Sequence, residues 1–392
     1  MSWRKSPRLT RAADRHHVEA HIVSTTNTDS WQALFAQVAV NEGSSFLFHA
    51  VSRGDKPFLF LPSDNRAAAT ALEIYPAQTW KARLAKVALE MMLRVGLRPG
   101  LRKISLTISN TDPFAAFLRA SARVEPGEPF SFAVLTGNPS APGRRHVFLL
   151  FNAASEPVAV VKAGATSQAR ELIAHETVIL SGFAQDQSGL PKLRSAYELD
   201  NLSAFAMDFI EGTSPGDYDG GALETIFSSW VNSQKEIALG QTAAWQLLIQ
   251  TSGTTALPDT VRNLEKLRVH PVLMHGDFAP WNVKVSAARW TVLDWERGER
   301  VGIPAWDWLH FIVQPAVLVR RETTEATMAR LVELFATAEF HHYAERCGIL
   351  GEEWKLAFAY VDYCINVTRQ TEGLKLLEAL REAMRLQLAT GR

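Results

Sequence analysis

The sequence predicts an α+β protein with two lobes, a β-rich lobe followed by a helical lobe, and an extra α/β module in front of them. Short apolar runs separated by turn residues fill 129–162, and apolar residues repeat at three and four positions from residue 222 onward. The first 125 residues mix both patterns, and 392 residues exceed one ordinary hydrophobic core. We therefore predict an N-terminal module over 1–125, a β-rich lobe over 126–212 and a helical lobe over 213–392.

Composition restricts the classes of partner. Lys plus Arg equals Asp plus Glu at 41 each, so no net charge attracts nucleic acid or an anionic membrane. Cys347 and Cys364 lack metal-ligand spacing and are more typical of buried apolar residues than of a disulfide, which indicates a reducing compartment. The basic N-terminus does not lead into a signal-peptide core, and no run approaches the length of a membrane span. We expect a cytoplasmic protein with no nucleic-acid partner, and the sequence does not predict an oligomeric state.

The N-terminal module contains both strand and helix patterns. Strands are predicted over 45–51, 57–61 and 103–108, and helices over 78–95 and 113–123. One face of the first helix is apolar and contains Trp80, Leu84, Val87, Met91 and Val95. Its basic residues spread around the helix, so packing of this helix within an α/β module is favoured over a position on a membrane surface.

The β-rich lobe places one lysine at a strand end. Strands are predicted over 129–135, 146–151 and 157–162, and Lys162 closes the third. A cation there can reach the phosphates of a nucleotide beneath the loop 136–145, which makes Gly137 a candidate nucleotide contact. The loop lacks the glycine density of a phosphate cradle, and a plain hairpin connection explains it about as well.

A helix predicted over 167–180 carries a candidate partner for Lys162. Glu176 follows Lys162 by 14 residues, and a helix packed on the β-rich lobe would bring its carboxylate to the ammonium. Glu171 lies on the same helix and competes for that role, and an exposed glutamate is the simpler alternative for Glu176.

The junction between the lobes is predicted after a strand that ends near Gly212. A chain-breaking cluster follows Gly212 over 213–216. An extended segment that crosses between lobes offers backbone N–H and C=O groups to an adenine edge. The candidate adenine-binding hinge is therefore Met207, Asp208 and Phe209.

The segment 274–296 spaces three groups as phosphoryl transfer requires. Asp277 and Asn282 lie five residues apart, and two strand-like runs, 282–285 and 290–293, form a hairpin pattern before Asp294. Paired positions of a hairpin lie about 5 Å apart, so Asn282 and Asp294 should share one end. An amide oxygen and a carboxylate suit Mg²⁺, which also keeps waters and substrate phosphates as ligands.

The third group, Asp277, is the candidate catalytic base. A carboxylate beside the metal can accept the proton of a hydroxyl that attacks the γ-phosphate. His275 belongs to the candidate catalytic set, and we interpret it as a structural residue that holds the loop in place through hydrogen bonds to the backbone. A turn in which the three residues only cap strands is the simpler alternative. Asp307 is predicted to cap the helix that begins near it.

The order of these residues gives the chain a family resemblance. With Lys162, Glu176, His275-Gly276-Asp277, Asn282 and Asp294-Trp295-Glu296, residues 126–392 resemble the aminoglycoside phosphotransferase and choline kinase family. The resemblance implies a bilobal protein-kinase-like fold with ATP, or GTP in its place, between the lobes. It also implies Mg²⁺ on Asn282 and Asp294, Asp277 as catalytic carboxylate and Lys162 on the nucleotide phosphates.

Departures from protein kinases indicate the kind of acceptor. Gly276 stands where they have the arginine of His-Arg-Asp, Trp295-Glu296 replaces Phe-Gly, and no Ala-Pro-Glu follows. We therefore expect a small-molecule hydroxyl acceptor of the sugar, aminoglycoside or amino-alcohol type. Aromatic residues of the helical lobe can line the acceptor site, although packing in the core is the favoured interpretation. These residues are Trp306, Trp308, Trp354, Tyr343, Tyr360 and Tyr363.

A second class of function is a catalytically silent kinase-like protein. Such a protein would bind a nucleotide and act through its N-terminal module as a scaffold for a partner. The complete set of Asp277, Asn282, Asp294 and Lys162 argues against this alternative, because a scaffold has no need of a base and metal ligands.

Overall fold

A computed structural model describes residues 30–390 apart from 76, 78–79, 126, 138–142, 184–187, 200, 217, 253–256 and 288. The basic N-terminus, the first two residues of the helix predicted over 78–95 and residues 138–142 of the loop 136–145 lie outside the described residues. Within the described ranges, none of the helices combines the length and apolar character that crossing a bilayer requires.

One eight-stranded antiparallel sheet forms the first half of the chain. Its strands are β1 (Gly43–Arg53), β2 (Lys56–Pro62), β3 (Arg102–Ser109), β4 (Ser131–Thr136), β5 (His146–Phe151), β6 (Pro157–Gly164), β7 (Leu193–Leu199) and β8 (Leu202–Asp208). Their order is β3-β1-β2-β4-β5-β6-β8-β7. The pairing of Leu59 with Leu135 joins β2 to β4, so the sheet runs across the predicted boundary at residue 125. That boundary stays a prediction.

Both faces of the sheet are covered, because alternate residues of each strand are apolar on opposite sides. The helices α1 (Asn65–Ala71), α3 (Pro113–Ala122) and α4 (Ser167–Ser181) pack on the sheet, and α2 (Trp80–Arg94) packs on α1. One face contributes Leu59, Leu149 and Phe151 to a core shared with α1, α4 and the helical lobe. The other face contributes Phe132 and Phe148 to an aromatic core under α3. The start of α3 is fixed by Asp112, which accepts a hydrogen bond from the Ala115 N–H.

The helix α2 packs on α1, but its apolar face does not take part in that packing. The five residues of the apolar face are exposed, whereas Leu93, on the opposite side of the helix, is buried. The Lys86 ammonium donates to the Tyr75 carbonyl at 3.3 Å and helps to hold α2 in this orientation. Periodicity identified an amphipathic helix, but the helix docks through its less apolar side.

The second half of the chain is mainly helical. Its helices are α5 (Gly220–Ser229), α6 (Ala243–Ser252), α7 (Asp259–Arg262), α8 (Trp306–Gln314), α9 (Thr324–Phe335), α10 (Ala338–Cys347), α11 (Glu353–Asn366) and α12 (Leu374–Thr390). Its described residues also form the short strands β9 (Ile237–Ala238), β10 (Arg268–Val269), β11 (Val272–Met274), β12 (Val283–Ser286), β13 (Arg289–Val292) and β14 (Glu299–Gly302). They pair as β9 with β10, β11 with β14 and β12 with β13. The predicted α+β class, with a β-rich lobe before a helical lobe, is confirmed.

The connection between the lobes pairs with the β12–β13 hairpin. Thr213 forms a bridge with Val285, and the Lys284 ammonium donates to the Gly212 carbonyl at 3.0 Å. Gly212 has φ +131°, and a Cβ there would lie 2.5 Å from the Val285 carbonyl oxygen. Glycine is therefore required for this close approach, which links the exit from β8 to the hairpin beside the candidate site.

Candidate active site

The loop between β11 and β12 is anchored to the start of α8. The Asp307 carboxylate accepts the backbone N–H of His275 at 2.6 Å and that of Gly276 at 2.9 Å. Asp307 was predicted to cap its own helix, and that prediction is wrong: the N-cap residue is Ala305, without a side-chain bond. Gly276 has φ +77°, and a Cβ there would lie 2.7 Å from the Arg297 carbonyl oxygen. Gly276 and Asp307 together determine the backbone conformation of the loop.

His275 connects this loop to the end of β13. Its Nε2 lies 2.9 Å from the Leu293 carbonyl, and its Nδ1 accepts the Asp277 N–H at 3.2 Å. These bonds require a proton on Nε2 and none on Nδ1. Burial lowers the pKa of His275 to about 4, in keeping with that neutral ring. In this geometry both ring nitrogens are engaged with backbone, so His275 orients the loop.

Asp277 makes a side-chain contact that the sequence analysis missed. His310, on α8, brings its Nε2 within 3.0 Å of Asp277 Oδ1, and its Nδ1 lies 3.0 Å from the Tyr360 hydroxyl. Burial raises the pKa of Asp277, but the hydrogen bond and charge of His310 outweigh it, and the pKa lies below its usual value. Asp277 is therefore a carboxylate at neutral pH. No motif spacing links residues 33 positions apart, which is why His310 was missed.

Asn282 lies beside Asp277 at the start of the hairpin. Its Nδ2 donates to the Asp277 carbonyl at 2.9 Å and to Asp277 Oδ2 at 3.1 Å. The Leu293 N–H donates to the Asn282 carbonyl at 2.7 Å, so the residue before Asp294 pairs directly with Asn282. Because Nδ2 makes both donated bonds, Oδ1 is the atom that the amide can present to a cation.

Asp294 follows β13 in a left-handed conformation, with φ 73° and ψ 57°. Few residues other than glycine adopt this region, and such positions concentrate at functional sites. Its Oδ1 lies 2.8 Å from the Lys162 ammonium. Burial raises the pKa of Asp294, but the charge of Lys162 and its hydrogen bond overcome that effect and lower the pKa to about 2.

Lys162 is buried between two carboxylates. Its ammonium donates to Glu176 Oε1 at 2.6 Å and to Oε2 at 2.9 Å, in addition to Asp294. Burial lowers the pKa of Lys162, yet Asp294 and Glu176 more than offset it, so the pKa is raised and the cation is kept. Glu176 also accepts the Trp295 N–H at 3.0 Å. Glu171 is exposed, so the structure selects Glu176 for this contact.

A second cation lies near Asp294. Arg145, at the start of β5, contacts Glu296 and lies 3.8 Å from Asp294 Oδ1. Arg145 could not be predicted from the sequence, because nothing in its local pattern distinguishes it from Arg144. Gly137 donates its N–H to the Arg145 carbonyl at 2.9 Å, and a Cβ at Gly137 would lie 2.5 Å from that oxygen. Gly137 thus lets the hairpin close beside Arg145, and its contact with a nucleotide stays a prediction.

The predicted hinge leaves the sheet differently from the expectation. Met207, in β8, pairs with Val160 of β6. The N–H groups of Asp208 and Phe209 donate to the carbonyls of Lys192 and Val158, both at 3.2 Å. These two amides are already used, so they do not face an adenine edge. An adenine contact in this segment would use carbonyl groups or the amides beyond Phe209.

The donor set at the hairpin end fits Mg²⁺. Asn282 offers an amide oxygen, and Asp294 stays ionised because its pKa is about 2. No cluster of three or more His, Cys, Asp or Glu residues in the described ranges can hold a metal by itself. Magnesium is usually held by one or two side chains together with substrate phosphates, so two protein ligands are sufficient.

A cavity of about 530 Å³ opens on the other side of Asp277. Its lining is mixed and includes Asp277, Arg297, Glu299, Trp306, His310 and Tyr363. Buried polar atoms of that lining without a hydrogen-bond partner among the described residues include the Trp306 indole nitrogen and Glu299 Oε2. Burial raises the pKa of Glu299 to about 7.

The aromatic residues of the helical lobe divide between two roles. Trp306, Tyr360 and Tyr363 line the cavity, whereas Trp308 and Tyr343 pack together in the core at 5.5 Å between ring centroids. Core packing therefore accounts for only part of this set.

Comparison with known proteins gives matches among solved structures alone, since neither a family model nor a curated protein matches the chain. Ethanolamine kinase of Plasmodium vivax matches at 10% identity and a TM-score of 0.46, over 82% of this chain and 94% of that chain. A thermostable mutant of aminoglycoside phosphotransferase APH(4)-Ia, in ternary complex with ADP and hygromycin B, matches at 13% identity and a TM-score of 0.41, over 69% of this chain and 96% of that chain. Similarities at this level carry no argument about function.

Proposed function

We propose that the protein is an ATP- and Mg²⁺-dependent phosphotransferase that acts on a hydroxyl group of a small molecule. The observation that carries this proposal is the position of Asp277. Its carboxylate lines the 530 Å³ cavity and also contacts Asn282, at the end of the hairpin where Asp294 meets Lys162. The proposed base thus lies between this cavity and the group formed by Asn282, Asp294 and Lys162.

Asp277 is the proposed base. An acceptor hydroxyl in the cavity would donate its hydrogen bond to the carboxylate, which takes the proton as the hydroxyl oxygen attacks the γ-phosphorus. The new P–O bond forms as the bond between the γ-phosphorus and the β–γ bridging oxygen breaks, and ADP leaves. His310 supports this role because it holds Asp277 Oδ1 at 3.0 Å and keeps the carboxylate ionised.

The opposite side of Asp277 suits the phosphates. Asn282 and Asp294 are the proposed metal ligands, and Mg²⁺ bound there would neutralise charge on the phosphoryl oxygens. Lys162 is fixed by Glu176 and would place its ammonium at the nucleotide phosphates. Arg145 supplies a second positive charge near Asp294.

The acceptor is proposed to be a sugar, an aminoglycoside or an amino alcohol. A cavity of about 530 Å³ lies within the range of small-molecule sites. Aromatic faces in its lining suit sugar rings and amines. The Trp306 indole N–H is a donor suited to an acceptor oxygen, and Glu299 can pair with a hydroxyl or an ammonium group.

The test is a screen for ADP release with Mg²⁺ and ATP over sugars, aminoglycosides, amino alcohols and nucleosides. Acceptor-dependent turnover is expected in the wild type, with a loss of about 10²–10⁴-fold in Asp277→Asn, because that change removes the base and keeps the shape. Asp259→Asn, an exposed carboxylate at the start of α7, is the matched control and should keep full activity.

Two outcomes would overturn the proposal. Equal acceptor-dependent rates in the wild type and Asp277→Asn would remove Asp277 as the base. Binding of Mg²⁺ and ATP without turnover of any acceptor class would support the silent scaffold instead.

A further inference from the structure

The outward face of α2 is an apolar stripe. Its five side chains follow one another at helical spacing and are largely exposed: Trp80 66%, Leu84 61%, Val87 48%, Met91 64% and Val95 72%. A continuous exposed apolar surface of this kind marks an interaction site more often than scattered single residues do.

The helix cannot bury this stripe by rotating. Leu93, on the opposite side, is fully buried, and Leu89 packs against the same core. Arg98, just beyond the helix, donates to Asn65 Oδ1 at 2.6 Å and ties the end of α2 to α1. None of the described residues covers the stripe, so another surface is needed to cover it.

The stretch of chain that contains the stripe is basic. Residues 80–103 contain seven Lys or Arg residues and one Glu, although the whole chain has a formal net charge of zero. At about 100° per residue, Lys81 borders the stripe on one side, and Arg83 and Arg94 border it on the other. The ion pair of Arg94 with Glu90 at 2.7 Å neutralises only one of these cations.

A second copy of the chain fits this face poorly. Self-association through α2 would bring two strongly basic stretches together, and like charges in contact are repulsive. Five stripe residues also fall far below the roughly 20–30 residues per side of a standard interface.

An acidic groove on another protein is also less suitable than a flat surface. Grooves that bind amphipathic helices enclose them, whereas α2 is covered on its inner side by α1 and presents one face only. A bilayer interface accepts an apolar face to a depth of about 5–10 Å and binds basic residues through its anionic headgroups.

We infer that α2 docks the protein on an anionic lipid surface. The stripe from Trp80 to Val95 enters the boundary between headgroups and acyl chains, while Lys81, Arg83 and Arg94 contact the lipid phosphates. This inference concerns a surface separate from the proposed active site and does not depend on turnover.

Co-sedimentation of the full chain with vesicles tests this inference. We expect binding to vesicles of equal phosphatidylcholine and phosphatidylserine and weak binding to phosphatidylcholine alone, with a decrease in high salt. Leu84→Glu with Met91→Glu should lower the partition coefficient at least about tenfold, because two charges would enter the apolar boundary. Val332→Glu with Leu386→Glu changes two exposed apolar residues of α9 and α12 and should leave binding unchanged.

A charge variant separates the two parts of the inference. Lys81→Gln with Arg83→Gln and Arg94→Gln should weaken binding to the anionic vesicles and remove most of its salt dependence. All substituted side chains in these variants are exposed, so equal circular dichroism spectra are expected. Equal partition of the wild type and the Leu84→Glu, Met91→Glu variant would overturn the inference. Wild-type dimerisation in sedimentation velocity that the same two substitutions abolish would assign the stripe to a second copy and also overturn it.

Discussion

The two sides of Asp277 differ in how their polar groups are satisfied. On the hairpin side, Lys162 and Glu176 form a buried ion pair, and Lys162 also pairs with the partly exposed Asp294, all at 2.6–2.9 Å. On the cavity side, Trp306 Nε1 and Glu299 Oε2 are buried without a hydrogen-bond partner among the described residues. The first side is preorganised by the protein itself, whereas the second leaves polar atoms for a ligand to satisfy.

This difference has an energetic reason. The charged groups that would bind phosphates are removed from water before the nucleotide arrives. Burying each of these charges without a partner of opposite sign would cost free energy. The groups that bind the acceptor need only local hydrogen bonds. A wrong ligand leaves these groups unpaired, which penalises its binding and raises the specificity of the site. We therefore expect the residues of the hairpin side to act as one unit and the contacts of the cavity side to be separable.

The largest effect is expected from Asp294→Asn. The change removes a carboxylate from the proposed metal site and from the Lys162 ammonium, so kcat should fall by about 10³-fold. The Mg²⁺ concentration for half-maximal ADP release should rise as well. A Mg²⁺ titration at saturating ATP measures both quantities, and a variant with unchanged Mg²⁺ dependence would contradict the metal assignment.

Lys162→Met should have a large effect on both activity and stability. Glu176 is 1% exposed and would lose its cation, so the free energy of unfolding should fall by about 3 kcal/mol. Lys162→Met with Glu176→Leu removes both charges and should restore part of that loss. Urea unfolding of the single and double variants completes the cycle, and additive losses would show that the two residues are not one unit.

A smaller effect is expected from His310→Gln, with kcat lower by about tenfold. His310 lowers the pKa of Asp277, so its removal raises that pKa. A base acts above its pKa and is lost as pH falls through it, so the acid limb of the pH–rate profile should move to higher pH. A change in kcat without movement of that limb would make His310 a packing residue only.

The smallest effect is expected from Glu299→Gln and concerns KM alone. The pKa of Glu299 is raised to about 7, so its carboxylate is protonated below that pH and ionised above it. For an acceptor that carries an ammonium group, KM in the wild type should fall by about fivefold as pH rises through 7. Glu299→Gln should remove that pH dependence. A neutral sugar as the true acceptor would show no such dependence in either protein.

The two sides of Asp277 also differ in how many of their contacts could be predicted from the sequence. Asn282 and Asp294 follow from the spacing of one hairpin, and Glu176 from a helix that starts five residues after Lys162. These relations are local, so periodicity and turn residues suffice to predict them. The contacts of His310 with Asp277 and of Asp307 with His275 join segments more than 30 residues apart. Only tertiary packing decides them.

Two further differences have the same origin. An amphipathic pattern identifies α2 as a helix but does not say which side docks, because packing on α1 depends on the shape of both partners. The pairing of β2 with β4 is equally hidden, since the paired residues Leu59 and Leu135 lie 76 positions apart. The fold class was predictable from element types, whereas the continuity of the sheet was not.

That continuity limits how the chain can be shortened. Removing residues 1–125 would strip β2 from the edge of β4 and uncover the aromatic core in which Trp31 lies 6.4 Å from Phe148 between ring centroids. An open strand edge beside an exposed aromatic surface is a template for aggregation. The two proposed catalytic lobes are therefore expected to lose solubility when expressed alone, although every proposed catalytic residue would still be present.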